Sequence, residues 1–282
     1  MRGASKTLFP SLFLSLLLFA VLASASASQQ EKPGWEKYQR AGTEALERGD
    51  YAEAETQLKA ALREATAFSL KDPRLTETLD SLARLYRAAG RLDEAETLYR
   101  RTLSVTELSF GPEHLNVAAS LNNLALLLYT RGRYEEAVAL LERALRVMEK
   151  TLGAEHPELA PRLTNLAQLY RIQKKYSEAE PLLERALQIK EKALGSEHAE
   201  LAAALDNLAA IYNAEKKYAE AEPLLKRSLA IKTKALGAEN LQVALALENY
   251  ADVLQRLKRP AEATELRKRS KAIWTKAMKK QG

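Results

Sequence analysis

Five stretches of this chain say nearly the same thing at a spacing of 42 residues. LNNLALLLYTRGRYEEAVALLERAL (121–145) aligns with LTNLAQLYRIQKKYSEAEPLLERAL (163–187) and LDNLAAIYNAEKKYAEAEPLLKRSL (205–229). The outer copies are LDSLARLYRAAGRLDEAETLYRRTL (79–103) and LENYADVLQRLKRPAEATELRKRSK (247–271). A fixed period of this size marks a stacked solenoid, in which neighbours bury the apolar face that one unit cannot bury alone. Such an array has an extended surface and seldom an active-site pocket.

Within a copy, apolar residues recur at helical spacing. Leu163, Leu166, Leu169 and Tyr170 line one face of a first helix, A, and Leu182, Leu183, Ala186, Leu187 and Ile189 do so for a second, B. Small residues fall where helices must approach closely: Ala83, Ala125, Ala167, Ala209 and Ala251 in A, and Ala95, Ala137, Ala179, Ala221 and Ala263 in B. The A helices are expected near 35–48, 73–89, 115–131, 157–173, 199–215 and 241–257, each followed within a few residues by its B helix. The turn from A to B carries Gly90, Gly132, or Lys-Lys at 174–175 and 216–217, and Tyr134, Tyr176 and Tyr218 then wedge into the helix junction. Gly111, Gly153, Gly195 and Gly237 stand just past helix B, where a left-handed residue would end it. Pro157 suits the first position of the next helix. Pro181 and Pro223 are expected in about the first turn of B, where proline is tolerated.

These residues resemble the tetratricopeptide repeat. The pattern of a large apolar residue, Leu and Ala in helix A, then Tyr-x-x-Ala in B, matches position by position. The 42-residue period and the link Leu152-Gly153-Ala154-Glu155-His156 are similar to the longer repeats of kinesin light chain. YQRAGTEALERGDYAEAE (38–55) opens a sixth unit. The resemblance implies an all-α fold, a right-handed superhelical solenoid of antiparallel helix pairs spanning about residues 35–279. Kinesin transport is not implied, since the heavy-chain-binding coiled coil is absent. In the last pair Tyr218 becomes Pro260, Leu225 becomes Arg267 and Leu229 becomes Lys271, as expected of a polar, basic cap.

Residues 1–27 read as a secretory signal peptide: Arg2 and Lys6, an apolar run from Leu8 to Leu22, then small residues from Ala23 to Ala27. Residues 28–34 are a short linker. The run is shorter than the ~20 apolar residues needed to span a bilayer, so a soluble mature chain, periplasmic or secreted and bacterial, is expected to begin at Ser26 or Ser28. The absence of cysteine excludes disulfides, thiolate metal sites and cysteine nucleophiles. The net charge of +6 is unevenly placed, because residues 256–282 hold ten Lys or Arg against Glu262 and Glu265. The body of the array is mildly acidic, and no nucleic-acid partner is expected.

Little in the chain suggests catalysis. His114, His156 and His198 occupy one equivalent link position. Packed helices lie about 8–10 Å apart, too far for histidines of successive repeats to share a metal ion, so none is expected. Neither a His-Glu-x-x-His motif, a Gly-rich phosphate loop nor a Gly-x-Ser-x-Gly elbow occurs. Glu94, Glu136, Glu178, Glu220 and Glu262 recur at the start of helix B, where they complement the helix dipole. A non-enzymatic chain without cofactor is the expectation.

Asn123, Asn165, Asn207 and Asn249 hold one place in successive A helices, with Ser81 in the second unit. The resemblance implies that this position faces a concave groove and grips the backbone of bound peptide. A carboxamide both donates and accepts, so it can pair with an extended chain whatever that chain's side chains. Asparagine is also a poor helix former, costing several tenths of a kcal/mol against alanine. Descent of all copies from one ancestral repeat is the competing explanation. Around this ladder, Asp80, Asn122, Thr164, Asp206 and Glu248 lie one residue before. Arg84, Leu126, Gln168, Ala210 and Asp252 lie three after, and Arg87, Tyr129, Arg171, Asn213 and Gln255 six after. The expected groove is thus basic at Arg84, Arg87 and Arg171, and acidic toward Glu248 and Asp252. The function expected is a protein-interaction scaffold binding an extended peptide or partner protein. The alternative is a structural assembly subunit docking through its basic C-terminal helix to an acidic protein or an anionic membrane surface.

Overall fold

The computed structural model describes residues 34–279. The expected signal peptide and nearly all of the linker lie outside the described residues, as do residues 280–282. Among the described residues there are helices and no strands, and no helix is long and apolar enough to cross a membrane.

The chain forms two compact units that meet in sequence at Ala89 and Gly90. The first holds α1 (Trp35–Glu47), α2 (Tyr51–Ala65) and α3 (Pro73–Ala88). Trp35 Nε1 donates to Thr78 Oγ1 at 2.7 Å and Gln39 Nε2 to Ser81 Oγ at 2.8 Å, tying α1 to α3. The Tyr86 hydroxyl donates to Glu55 at 2.9 Å, tying α3 to α2.

The second unit holds α4 (Leu92–Phe110), α5 (Leu115–Thr130), α6 (Tyr134–Leu152), α7 (Leu159–Ile172), α8 (Tyr176–Leu194), α9 (Leu201–Ala214), α10 (Tyr218–Leu236), α11 (Leu241–Arg256) and α12 (Pro260–Lys279). Each odd-numbered helix from α5 is an A helix and packs on the B helix after it and the B helix before it. The A helices begin and end within two residues of the expected positions. All ten repeated alanines are at most 1% exposed, so each marks a place where two helices nearly touch. Between them Leu183 and Leu187 of α8 pack with Leu201, Leu205 and Leu208 of α9. Leu225 of α10 meets Tyr250, Val253 and Leu254 of α11 in the same way. Leucine supplies the buried area and alanine sets the spacing.

The A-to-B turn is a Schellman close. In the third repeat the Gly132 N–H donates to Tyr129 O at 3.0 Å and the Arg133 N–H to Leu128 O at 2.9 Å. Later repeats make the same bonds with lysine in place of glycine, so Lys174, Lys216 and Lys258 are held at φ 59°, 63° and 60°. This left-handed conformation costs an L-residue about 1–2 kcal/mol, and packing on either side imposes it.

Three local expectations are corrected. The link glycines have positive φ, but Gly153, at φ 90° and ψ 154°, is far from the left-handed helical region and in territory essentially reserved to glycine. Pro157 does not open α7. His156 O accepts from Leu159 N–H at 2.9 Å and Pro157 O from Ala160 N–H at 3.2 Å, so a tighter turn containing the proline precedes the helix. Pro181 and Pro223 are the sixth residues of α8 and α10, inside the helix and past its first turn. Both are exposed, so the ring points to solvent and the helix continues through it.

Candidate peptide-binding groove

The Asn ladder occupies successive A helices of the second unit. Asn123 and Asn207 are half-buried, whereas Asn165 and Asn249 are exposed. The side chains of Asn165, Asn207 and Asn249 have no hydrogen-bond partner within the described chain. Asn207 is half-buried and unpaired, which a packing amide seldom is, while Asn165 and Asn249 stand open to solvent.

Asn123 and Asn165 come together at a cavity of about 440 Å³ between α5 and α7. Its walls are Asn122, Asn123, Leu126 and Tyr129 on one side and Arg162, Asn165 and Gln168 on the other, with Leu141 of α6 contributing to the lining. Leu126 and Tyr129 are 48% and 42% exposed, an unusual outlay of apolar surface on adjacent turns of one helix. The Tyr129 ring lies 5.8 Å from that of Tyr134, tilted by 52°. Arg162 Nε and Asn122 Oδ1 are buried and lack a partner inside the chain. Both atoms are closed off from the surface, so what the cavity offers a ligand is its apolar walls and the exposed carboxamide of Asn165.

The other expected residues are distributed differently. Asn207 and Asn249 lie outside this cavity, on α9 and α11. Arg171 Nε donates to Gln168 Oε1 at 2.8 Å, which steadies one cavity residue from the turn above. Arg84 and Arg87 belong to α3 in the first unit, the former exposed and the latter half-buried. Arg162 escapes the sequence reading because that reading takes the positions one before, three after and six after the ladder, and not the position three before. It lies three residues before Asn165, hence on the same helix face.

The position before the ladder proves largely spoken for. Asp206 accepts from Ser228 Oγ at 2.6 Å and pairs with Lys232 of α10. Thr164 Oγ1 donates to Ala160 O at 2.9 Å and Asn122 Nδ2 to Ala118 O at 2.8 Å, both within their own helices. The expected acidic end is largely neutralised as well, because Arg267 of α12 reaches Asp252 at 2.8 Å and Glu248 at 3.9 Å.

Rows of ion pairs link successive repeats behind this face. Glu96 pairs with Arg133 at 2.8 Å, Glu180 with Lys217 at 2.7 Å and Glu222 with Arg259 at 2.7 Å. Val138 stands where the missing glutamate of that row would be, so Lys175 has no carboxylate opposite it among the described residues. Arg143, Arg185 and Arg227 form a second row with Glu107, Glu149 and Glu191. The histidines have a structural task of their own. Nδ1 of His114, His156 and His198 accepts the backbone N–H two residues on, at 3.2, 3.3 and 3.3 Å. Asn240 Oδ1 makes the same bond to Gln242 at 2.8 Å, and Asp72 Oδ1 to Arg74 at 3.0 Å. His114 is thus the N-cap of α5, an acceptor like Asp or Asn, whereas His156 and His198 close the tighter turn that precedes α7 and α9. Among the described residues no three His, Asp, Glu or Cys side chains cluster as a metal site would require.

The tetratricopeptide-repeat family profile matches residues 37–107, 74–150, 116–192 and 200–276. The chain belongs to the tetratricopeptide-repeat family. A Podosopora anserina structure of nearly identical kinesin-light-chain TPR-like repeats is 32% identical, with a TM-score of 0.63 over 71% of this chain and 95% of that one. BtubC from P. vanneervenii is 21% identical, with a TM-score of 0.65 over 88% of this chain and 93% of its own. A tetratricopeptide repeat protein from Parabacteroides merdae is 22% identical, with a TM-score of 0.58 over 82% and 77%. The latter two show the shared fold alone. No curated protein sequence matches the chain. Tetratricopeptide-repeat proteins are generally scaffolds for protein–protein interaction and typically non-enzymatic.

Proposed function

We propose that this tetratricopeptide-repeat chain is an exported scaffold that binds an extended polypeptide along its A helices, with the α5–α7 cavity as anchor. The observation that carries this reading is the set of carboxamides at Asn165, Asn207 and Asn249, recurring at one helical position with no partner in the chain. Asn165 stands beside a cavity with apolar walls. Ladder positions on successive A helices about 10 Å apart suit an extended strand at about 3.3 Å per residue.

Each backbone pairing contributes about 1 kcal/mol net. Replacing Asn165 and Asn207 together by alanine is therefore expected to weaken binding about thirtyfold. Thermal stability should hold or rise slightly, since alanine is the better helix former. The probe is a peptide selected on the purified chain from a random display library, titrated against both forms. Unchanged affinity with a melting temperature many degrees lower would make these asparagines packing residues. Export is tested separately by the intact mass of the mature protein, expected to begin at Ser26 or Ser28. Retention of residues 1–25 in a membrane fraction would overturn it.

A further inference from the structure

The outer side of α12 is unlike that of any other B helix. Lys268, Lys271, Thr275 and Lys279 recur at helical spacing along one exposed stripe, and Trp274 and Met278 adjoin it at 38% and 65% exposure. In α6 and α8 the place of Lys271 is held by Leu145 and Leu187, each 8% exposed. Most lysines and arginines elsewhere on the B helices have carboxylate partners: Lys150, Lys192 and Lys234 pair with Glu113, Glu155 and Glu197. Lys276 continues that row with Glu239, and Arg259 and Arg267 are also paired. Lys268, Arg269, Lys271 and Lys279 have no ion-pair partner among the described residues. The acidic groups on α12 are Glu262, already paired with Arg259, and exposed Glu265.

We infer that the Lys268–Lys271–Lys279 face of α12, with Trp274 and Met278 at its edge, docks on an anionic lipid surface. The inference is independent of the groove. Charge complementarity sets the sign of the partner, and the residue types set its kind. Arg259, just before this helix, and Arg267 on it, whose planar forks suit individual carboxylates, are engaged within the chain, and unpaired Arg269 lies off the stripe. The free stripe is mostly lysine, a hydrated point charge on a flexible stem that fits a diffuse field better than a particular carboxylate. Its alkyl stems can lie along the apolar edge while the ammonium groups stay in water. Tryptophan favours the headgroup level of a bilayer. A helix with an apolar edge and a lysine stripe lies in the plane of such an interface. The stripe is about 16 Å long at about 1.5 Å per residue, enough to meet several headgroups at once.

The test co-sediments the chain with vesicles of phosphatidylcholine alone and of phosphatidylcholine with equimolar phosphatidylglycerol. Binding is expected only to the anionic vesicles, with release in high salt and a blue shift of tryptophan emission that Trp274→Phe abolishes. The triple change Lys268→Gln, Lys271→Gln, Lys279→Gln is expected to weaken binding about a hundredfold, from the field acting on each lysine near a charged bilayer. Helix content by circular dichroism should be unchanged. The same change at exposed Lys174 and Lys216 should leave binding unaltered. Failure to bind anionic vesicles, or equal binding by the triple variant, would overturn the inference. So would capture of polyglutamate in place of vesicles with the same lysine dependence, which would identify an acidic protein as the partner.

Discussion

Lys217 meets Glu180 at 2.7 Å although 37 residues of chain separate them. Hydrogen bonds to Glu180 and then Glu215 hold its ammonium well above the usual lysine range. The pair joins the second turn of α8 to the N-cap of α10, so it bridges one repeat to the next. Exposed ion pairs contribute little and are screened by salt. Glu180→Gln should therefore lower stability only slightly at low ionic strength and not at all in concentrated salt, as urea unfolding at both would show.

The left-handed lysines offer an easy gain. Lys174→Gly is expected to stabilise the chain by about 1 kcal/mol, because glycine reaches φ near 60° without the Cβ penalty. Gly132→Ala should destabilise by a similar amount for the converse reason. Denaturant titration of both variants decides the point, and opposite signs are the expected outcome.

Histidine as a cap is checkable by substitution. His114→Ala should cost about 1 kcal/mol, the usual loss when a helix cap is removed. His114→Asn should be nearly neutral, since Asn240 already caps α11 with the equivalent bond. A large loss in both variants would point to a role for the ring itself.

Close approach at the repeated alanines predicts intolerance of volume. Ala167 is fully buried against α8 and α9 residues, and Ala167→Leu should cost about 1–3 kcal/mol by overpacking. A substitution that melts like the parent would mean the helices can spread apart at no cost.

Tyr170 gives the pH dependence. Its phenol is pushed up to about 12, chiefly by burial and then by its hydrogen bond to Glu142. A raised pKa in the folded state means the stabilisation is complete below the ordinary tyrosine value. It is lost as pH rises through about 12. Burial also raises Tyr212 and Tyr250, so alkaline titration followed at the phenolate band should show one late-ionising phenol fewer in Tyr170→Phe.

Much of the fold was legible because a solenoid writes its geometry once per repeat. The Tyr at four of the six B starts and the Gly or Lys at each turn place the helix ends to within two residues. What was illegible depends on partners outside the period. Asp206 reads as a groove residue until Lys232, on the next helix, is seen to claim it. Glu248 and Asp252 read as an acidic patch until Arg267 reaches them from α12. Helical spacing tells which face a residue is on, but not which neighbour's long side chain arrives there first. The histidines were correctly grouped by their common position. Their role as acceptors needed the backbone N–H two residues on, which has no sequence mark.

The valine at 138 has a mechanical meaning. Where Glu96, Glu180 and Glu222 each clasp the repeat ahead, Val138 leaves Lys175 ungrasped, so the step from α6 to α8 has one tether of this row fewer than its neighbours. The second row still bridges this step, through Glu149 and Arg185. Because exposed pairs add little to stability, the stacking of one repeat on the next rests on packed leucine and alanine, and an interrupted row of charges beside the cavity that Leu141 helps to line is tolerated.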